Sequence, residues 1–154
     1  MRTKLMLLIC ILFAAFISTQ AQTFKAGAAV CELTPSHLIP ISGGMGTPEM
    51  PSGIQGKLTA RALVFEKGDT RIAIVGVDNL GWQAYLGDLS RQKIKSIPPE
   101  NILIGATHTH SAPDAYGFTN KNGNTGADLD YLKWCVDQIA DAVNEAVANL
   151  QPAS

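Results

Sequence analysis

Two histidines and the hydroxyl residues around them are the part of this sequence best suited to chemistry. An apolar run, residues 102–106, leads into Thr-His-Thr-His-Ser-Ala-Pro, residues 107–113, which contains His108 and His110. In an extended segment, side chains two residues apart point to the same side, so both imidazoles are predicted to converge on one metal ion or one substrate group. One histidine after a strand is usually a satisfied polar residue, whereas two with the same facing indicate metal or catalytic use.

Two apolar runs have to position these side chains, because each run ends where a polar residue begins. Residues 101–106 deliver the histidines, and residues 71–77 end at Asp78, so this carboxylate leaves its strand much as His108 leaves the other. Parallel sheets bind ligands outside the carboxyl ends of their strands. Asp78 is therefore predicted either to orient a histidine or support a metal site, or to cap the helix that follows.

A long glycine- and proline-rich stretch, residues 36–58, has the period of neither a strand nor a helix and is predicted to be a functional loop. Its Gly-Met-Gly triplet would let backbone amides come close to a ligand, so Gly44 and Gly46 are candidate substrate-binding residues. The triplet lacks the helix and the spacing of a phosphate-binding loop, which argues against nucleotide binding. His37, the third histidine, is expected to face solvent.

Four segments are predicted to be β-strands. Residues 25–33 form the first, and residues 60–66 and 71–77 form a hairpin joined by a Lys-Gly-Asp-Thr turn. Residues 101–106 form the strand that leads into the two histidines. Together with a helix between the last two, this order predicts a crossover connection in a partly parallel sheet.

Apolar residues at helical spacing predict two helices. The first covers residues 83–97 and is stopped by the proline pair that follows it. The second begins after Asp128 as its N-cap and carries an apolar face from Leu129 to Leu150. The predicted fold class is α/β, with a mixed, partly parallel sheet flanked by helices.

The first residues have the pattern of a secretory signal peptide. Two basic residues precede an apolar run, residues 5–17, and small residues occupy the cleavage positions that end at Ala21. We expect residues 1–21 to be removed, a mature chain that begins near Gln22, and a secreted or periplasmic protein. No transmembrane segment is expected after cleavage, and transient contact with a membrane surface is compatible with the pattern.

Charge and cysteine content exclude some classes of protein. Without Arg2 and Lys4, ten basic residues remain against 13 acidic ones, a net charge of −3 with no basic run. Nucleic-acid binding therefore has no electrostatic support. Export would permit a disulfide between Cys31 and Cys135, but both lie among apolar residues, so two buried free thiols are an equal alternative.

Several motifs occur in the order in which the neutral, non-lysosomal ceramidase family has them. The whole of residues 22–154 resembles the N-terminal part of that catalytic domain, so we expect the sequence to be a fragment of a longer protein. The Thr-His-Thr-His-Ser-x-Pro string carries most of this resemblance. The other segments that share it are Gly27–Val30, Leu33–Pro35, Gly44–Gly46, Arg61–Ala62 and Val77–Asp78.

The resemblance implies a zinc-dependent amidase that splits ceramide, a lipid N-acyl amide, into a sphingoid base and a fatty acid. It implies that His108 is a zinc ligand and that His110 contacts the substrate or the developing oxyanion. The remaining zinc ligands of the family are a later histidine, a glutamate and a tyrosine, which would lie beyond this sequence. The 154 residues alone are therefore predicted to be inactive.

Two alternatives remain open from the sequence. One is a secreted, non-catalytic binding module on the same scaffold. The other is a different metal-dependent hydrolase, such as a barrel amidohydrolase, although that class places its paired histidines after the first strand of the domain, and here three predicted strands come earlier. The substrate is also open between a lipid amide and another N-acyl compound.

Overall fold

The computed structural model describes residues 23–43 and 47–154. The expected signal peptide, residues 1–21, and the candidate residues Gly44 and Gly46 lie outside the described residues, so the structure does not test them. The elements in chain order are β1 (Phe24–Glu32), β2 (Ile41–Ser42), β3 (Thr59–Lys67), β4 (Thr70–Val77), α1 (Ala84–Lys93), a 3₁₀ turn (Pro99–Asn101), β5 (Ile102–Ala106), β6 (Ala112–Pro113), α2 (Leu129–Ala148) and β7 (Gln151–Pro152).

Five strands form one mixed sheet in the order β5-β4-β3-β1-β7. β4 and β5 are parallel neighbours, and the other pairs are antiparallel. A separate two-stranded ladder joins β2 to β6, directly after the histidines. The predicted class, an α/β fold with a mixed and partly parallel sheet, is confirmed.

The β3–β4 hairpin forms where the sequence predicts it. Its two-residue turn contains Gly68 at φ 58°, a left-handed conformation that glycine adopts without steric cost. Along β3 the side chains alternate, so that Ala60, Ala62 and Val64 are buried while Arg61 and Leu63 face away from the core. The small alanines let a helix lie close to the sheet on the buried side.

Helix α1 is shorter than the sequence predicts. It ends at Lys93 rather than at residue 97, because Ile94 leaves the helix with extended backbone angles, φ −92° and ψ 108°. The residue before a proline avoids helical angles, so Ile97 is disfavoured as a helical residue as well. Both isoleucines are nevertheless buried, so the predicted apolar stripe is correct although the helix boundary is wrong.

Helix α2 begins at its predicted N-cap. The Asp128 carboxylate accepts hydrogen bonds from the backbone N–H groups of Asp130 and Tyr131, at 3.0 and 2.9 Å. The predicted apolar face is wrong at its first residue: Leu129 is 63% exposed. Tyr131 takes its place in the core, where its hydroxyl donates a 2.7 Å hydrogen bond to the carbonyl of Leu33.

Helices cover one face of the five-stranded sheet, whereas the other face is exposed within the described residues. Helix α2 packs on β1, β3 and β4, and α1 packs against α2, so the core lies between the sheet and this helical layer. Within the described residues the opposite face carries large apolar side chains that are 40–63% exposed, namely Val30, Leu63, Ile72, Ile74 and Leu103.

Both cysteines of the described chain are free, which decides between the two alternatives left open by the sequence. Burial raises the pKa of Cys135 to about 12, so this thiol stays protonated at neutral pH. Cys31 is partly buried, and burial together with Glu145 and Asp141 also raises the pKa of its thiol. Neither α1 nor α2 is long and apolar enough to cross a membrane.

Candidate metal and substrate site

The site begins where two parallel strands end side by side. Val77, the last residue of β4, pairs with Ala106, the last residue of β5. The backbone N–H of Thr107 continues this pairing with a 2.9 Å hydrogen bond to the carbonyl of Val77. The residues after β4 and the histidine loop after β5 therefore leave the same edge of the sheet together, as the sequence predicts.

His108 is held by its backbone and by one ring nitrogen. It has φ 63°, and among the described residues other than glycine it alone has a positive φ. Its Nδ1 lies 2.7 Å from the backbone oxygen of Leu80. A carbonyl oxygen can only accept, so Nδ1 carries the hydrogen in the neutral ring and Nε2 keeps its lone pair. A metal-bound histidine typically has this arrangement, with its second ring nitrogen donating to a carbonyl or carboxylate.

His110 is placed by close packing. Its ring centroid lies 5.1 Å from that of His108, with an angle of 69° between the ring planes. A side chain on Gly43 would come within 2.6 Å of the Cα and Cβ atoms of His110, and Gly43 has φ 134°. Only glycine fits there, so the loop that contains residues 36–58 reaches the histidines. No ring hydrogen bond of His110 occurs within the described ranges.

The sequence correctly predicts that the two imidazoles come together, but the predicted reason is wrong. An extended segment was expected to put both side chains on one side, whereas the left-handed backbone at His108 breaks the extended conformation. Strand pairing resumes only after the histidines, where Ala112 pairs with Ser42 and Pro113 with Ile41. The convergence therefore depends on a turn and on contacts from two other loops.

The Asp78 carboxylate, directly after β4, is hydrogen-bonded both to β3 and to the residue that follows β5. Its carboxylate accepts hydrogen bonds from the hydroxyl and backbone N–H of Thr59, at 2.7 and 3.0 Å, from Arg61 and from the hydroxyl of Thr107. Burial alone would raise the pKa of Asp78, but the Thr59 hydrogen bonds, the Arg61 guanidinium and the Thr107 hydrogen bond outweigh it and lower the pKa below its ordinary value. The carboxylate is therefore ionised at neutral pH.

The alternative role of Asp78 as a helix cap is wrong. Helix α1 begins six residues later, at Ala84, with Gln83 at its N-cap position, and no side chain caps it. Asp78 contacts the histidine loop through Thr107, the residue before His108. Within the described residues none of its hydrogen bonds goes to a histidine, so its predicted role in orienting the site stays a prediction. The carbonyl that holds His108 instead comes from Leu80, two residues further along the same loop.

The rest of the histidine loop is fixed by a buried carboxylate. Asp114 is 1% exposed and accepts hydrogen bonds from the backbone N–H groups of Tyr116, Gly117 and Phe118, at 2.9, 3.3 and 2.8 Å. Its own N–H donates to the carbonyl of Pro40 at 3.1 Å. Because every one of these partners is backbone, Asp114 is a structural group of the loop.

A cavity of about 410 Å³ lies beside the histidine loop. Its walls include Thr109 and Ser111 of that loop but neither imidazole. Most of the remaining wall comes from the long loop before β3, including the apolar residues Leu38, Ile39, Ile41, Ile54 and Leu58. The cavity is therefore a partly apolar neighbour of the site that the two histidines do not line.

The described residues supply only part of the ligands that a metal ion would need. His108 has the fixed tautomer and the exposed ring that a metal ligand needs, and His110 lies beside it. Within residues 23–43 and 47–154, no group of three or more histidine, cysteine or acidic side chains could hold a metal ion. A catalytic zinc takes three or more protein ligands, so these residues could supply only part of such a site.

Three residues of the site have little or no signal in the sequence. Leu80 acts through its backbone carbonyl, which no side-chain pattern reveals. Gly43 lies directly before the predicted Gly44–Gly46 triplet, and a third adjacent glycine is a weak indication of close contact. Asn79 follows the recognised Asp78, but its burial between two loops becomes visible only in the structure.

No protein-family model matches this sequence, and no curated protein does either. Two solved structures are similar to its fold. One is neutral ceramidase from Pseudomonas aeruginosa, with a TM-score of 0.71 and 22% identity, and the other is a ceramidase complexed with C2, with a TM-score of 0.63 and 24% identity. Each match covers 85% of this chain and 22% of the solved chain. The chain thus has a ceramidase-like fold over about a fifth of the length of those proteins.

Proposed function

We propose that this chain forms part of a secreted zinc-dependent amidase that hydrolyses the N-acyl amide of ceramide or a related lipid amide. The observation that carries the proposal is the hydrogen bond from His108 Nδ1 to the Leu80 carbonyl, which leaves Nε2 available to a metal. The ceramidase-like fold supports the choice of substrate class. The further ligands would come from polypeptide outside this sequence.

Each residue then has a distinct part in the reaction. His108 would hold the zinc through Nε2, and a bound zinc supplies water ionised near neutral pH. His110 would donate a ring N–H to the amide oxygen as negative charge develops there. The backbone amides of Gly44 and Gly46 would line the path of the substrate, and Asp78 would keep the histidine loop on the sheet through Thr107. Water adds to the carbonyl carbon, the C–N bond breaks, and the amine leaves with a proton.

The decisive experiment uses the protein in its native length. Hydrolysis of a fluorescent N-acylsphingosine is measured before chelation, after chelation and after zinc is restored. We expect activity to disappear with the metal and to return with zinc. Full activity in the chelated protein would overturn the zinc-dependent amidase, and a native-length protein that binds ceramide without cleaving it would establish the non-catalytic alternative. The barrel alternative finds no support, because the histidines follow β5 of an open mixed sheet.

Export is tested separately. We propose cleavage after Ala21, so mass spectrometry of the released protein should find Gln22 at its N-terminus. A soluble product that retains residues 1–21 would contradict this location without affecting the proposal about the metal.

A further inference from the structure

We propose that Asn79 is a positioning residue for His108, acting through the carbonyl of Leu80; the proposal rests on the proposed role of His108 as a metal ligand. Asn79 is 2% exposed, and its side-chain amide makes hydrogen bonds both within its own loop and to the segment that follows the two histidines. Its amide nitrogen donates to the carbonyl of Pro113 at 3.3 Å, and its amide oxygen accepts from the N–H of Gly81 at 3.4 Å.

One of these two hydrogen bonds, from the Gly81 N–H to the Asn79 amide oxygen, spans Leu80. Asn79 and Gly81 are its neighbours in the chain, so the bond between them forms a short side-chain turn with Leu80 at its apex. The backbone N–H of Asn79 also donates to the carbonyl of Val77 at 2.9 Å, which ties the start of the turn to the end of β4. The direction of the Leu80 carbonyl is therefore set from both sides.

The same side chain joins the two loops that have to stay in register. Pro113 is the last residue of the Thr-His-Thr-His-Ser-Ala-Pro stretch, and its carbonyl accepts a hydrogen bond from the Asn79 amide. The His108 ring and the carbonyl that orients it are thus fixed to each other in two ways, once directly and once through Asn79. Both hydrogen bonds are long, but in this buried place an amide without them would lose its water as well as its partners.

An aromatic side chain closes the turn from outside. A side chain on Gly81 would collide with the hydroxyl of Tyr116, so the Tyr116 ring lies directly on the backbone of the turn. Tyr116 is in turn held by Asp114, which accepts the hydrogen bond from its N–H. The turn that presents the Leu80 carbonyl is therefore packed as well as hydrogen-bonded.

The consequence for His108 is a fixed tautomer. If the Leu80 carbonyl turns away, Nδ1 loses its acceptor and the neutral ring can place its hydrogen on Nε2, which removes the lone pair that a metal requires. None of the hydrogen bonds of Asn79 goes to His108, so its effect on the imidazole would be indirect. Loss of a group that bonds the ligand directly, here the Leu80 carbonyl, typically lowers metal affinity about 10–100-fold, so the loss of Asn79 should lie at the lower end of this range.

The test compares Asn79→Ala, Asn79→Asp and the control Ser90→Ala. Ser90 is also fully buried, and its hydroxyl donates to the Leu86 carbonyl within helix α1, nine residues after the turn. Asn79→Asp preserves the shape and the acceptor for Gly81 but removes the donor to Pro113, so it disturbs packing least and remains informative if Asn79→Ala fails to fold.

Two readouts are needed. Long-range ¹H–¹⁵N spectra of the metal-free protein report which ring nitrogen of His108 carries the hydrogen, and the His108→Ala spectrum assigns the signal. We expect hydrogen on Nδ1 in the wild type and in Ser90→Ala, a mixture of tautomers in Asn79→Asp, and mainly hydrogen on Nε2 in Asn79→Ala. Zinc affinity of the native-length protein should fall about 10-fold in Asn79→Ala and stay unchanged in Ser90→Ala.

The outcomes separate this proposal from the one on which it rests. An unchanged His108 tautomer in folded Asn79→Asp and Asn79→Ala overturns the positioning role of Asn79. A changed tautomer in Asn79→Ala, combined with zinc binding that survives His108→Ala, supports the positioning role and overturns His108 as the ligand. Equal loss of zinc in Ser90→Ala and Asn79→Ala reduces the effect to general stability and also overturns the proposal.

Discussion

His108 and His110 are the same residue type on one loop, two positions apart, yet the structure holds them differently. His108 has a left-handed backbone and gives one ring nitrogen to the Leu80 carbonyl, so its remaining nitrogen has a defined lone pair. His110 is held by packing on Gly43, and within the described residues its ring makes no hydrogen bond. The difference teaches that a fixed tautomer suits a metal ligand, whereas a ring free to donate suits a substrate contact.

Replacement of the anchored histidine should have the largest effect. His108→Ala in the native-length protein should remove bound zinc and lower amide hydrolysis by more than about 100-fold, because a ligand matters more than an outer partner of that ligand. Zinc content and activity are measured on the same samples.

The control is His37→Ala, which removes the exposed histidine of the long loop. It should change neither zinc content nor activity. Full activity in His108→Ala would remove the basis for a metal site at this loop.

Replacement of the packed histidine should spare the metal. His110→Ala should keep most of the zinc and lower turnover by about 10²-fold, comparable to the loss of one donor to an oxyanion. Separate measurements of kcat and zinc content test the distinction between the two histidines. Equal zinc loss in both variants would instead make His110 a second ligand and erase the difference.

Gly43 tests whether packing alone positions His110. Gly43→Ala should push the His110 backbone away and lower kcat by at most as much as His110→Ala does, with zinc retained. The strained φ and the contact at 2.6 Å should also cost about 1–3 kcal/mol of folding free energy. Gly53→Ala is the matched control, because a side chain there meets no atom within 4 Å. Wild-type kinetics in Gly43→Ala would show that His110 does not depend on this contact.

Asp78→Asn should have the smallest effect on the site and a measurable one on stability. The amide keeps the shape but cannot accept all the hydrogen bonds from Thr59, Arg61 and Thr107, so we expect a loss of about 1–2 kcal/mol at pH 7. Denaturant unfolding measures this loss. Asp88→Asn, at a 65% exposed carboxylate, is the control.

The difference in stability between the wild type and Asp78→Asn should depend on pH, and the lowered pKa of Asp78 gives the sign of this dependence. The folded pKa of Asp78 is lowered, so its stabilising contribution is complete above the ordinary value of 3.8 and is lost as the pH falls through the folded pKa. The difference between wild type and Asp78→Asn should therefore narrow below about pH 4. A difference that stays constant down to pH 2 would contradict the ionic role of the carboxylate.

The sheet could be predicted from the sequence because its signals are local. Alternating apolar residues and a Gly-Asp turn specify the β3–β4 hairpin, and the apolar run that ends in the histidines specifies β5. Boundaries were less accurate where tertiary packing decided them. Ile94 leaves its helix early and still reaches the core, and Leu129 has the right spacing but is 63% exposed.

Only the part of the site that consists of functional side chains could be predicted from the sequence. Paired histidines after a strand and an acid after the neighbouring strand are visible in the sequence, and both lie at the same edge of the sheet. The acceptor for His108 is a backbone carbonyl, and the partner of His110 is a glycine without a side chain. Such contacts depend on how distant loops meet, which no spacing within one segment encodes.

The left-handed backbone of His108 has a consequence for how this protein can change over evolutionary time. A residue with a side chain costs about 1–2 kcal/mol in that conformation, so at this position selection for stability favours glycine, or asparagine, which tolerates it best. In the proposed metal site, the need for the imidazole would oppose that drift. A descendant freed from that need should lose the histidine early and gain stability as it does so, which makes the residue at this one turn an indicator of whether a relative keeps the proposed metal site.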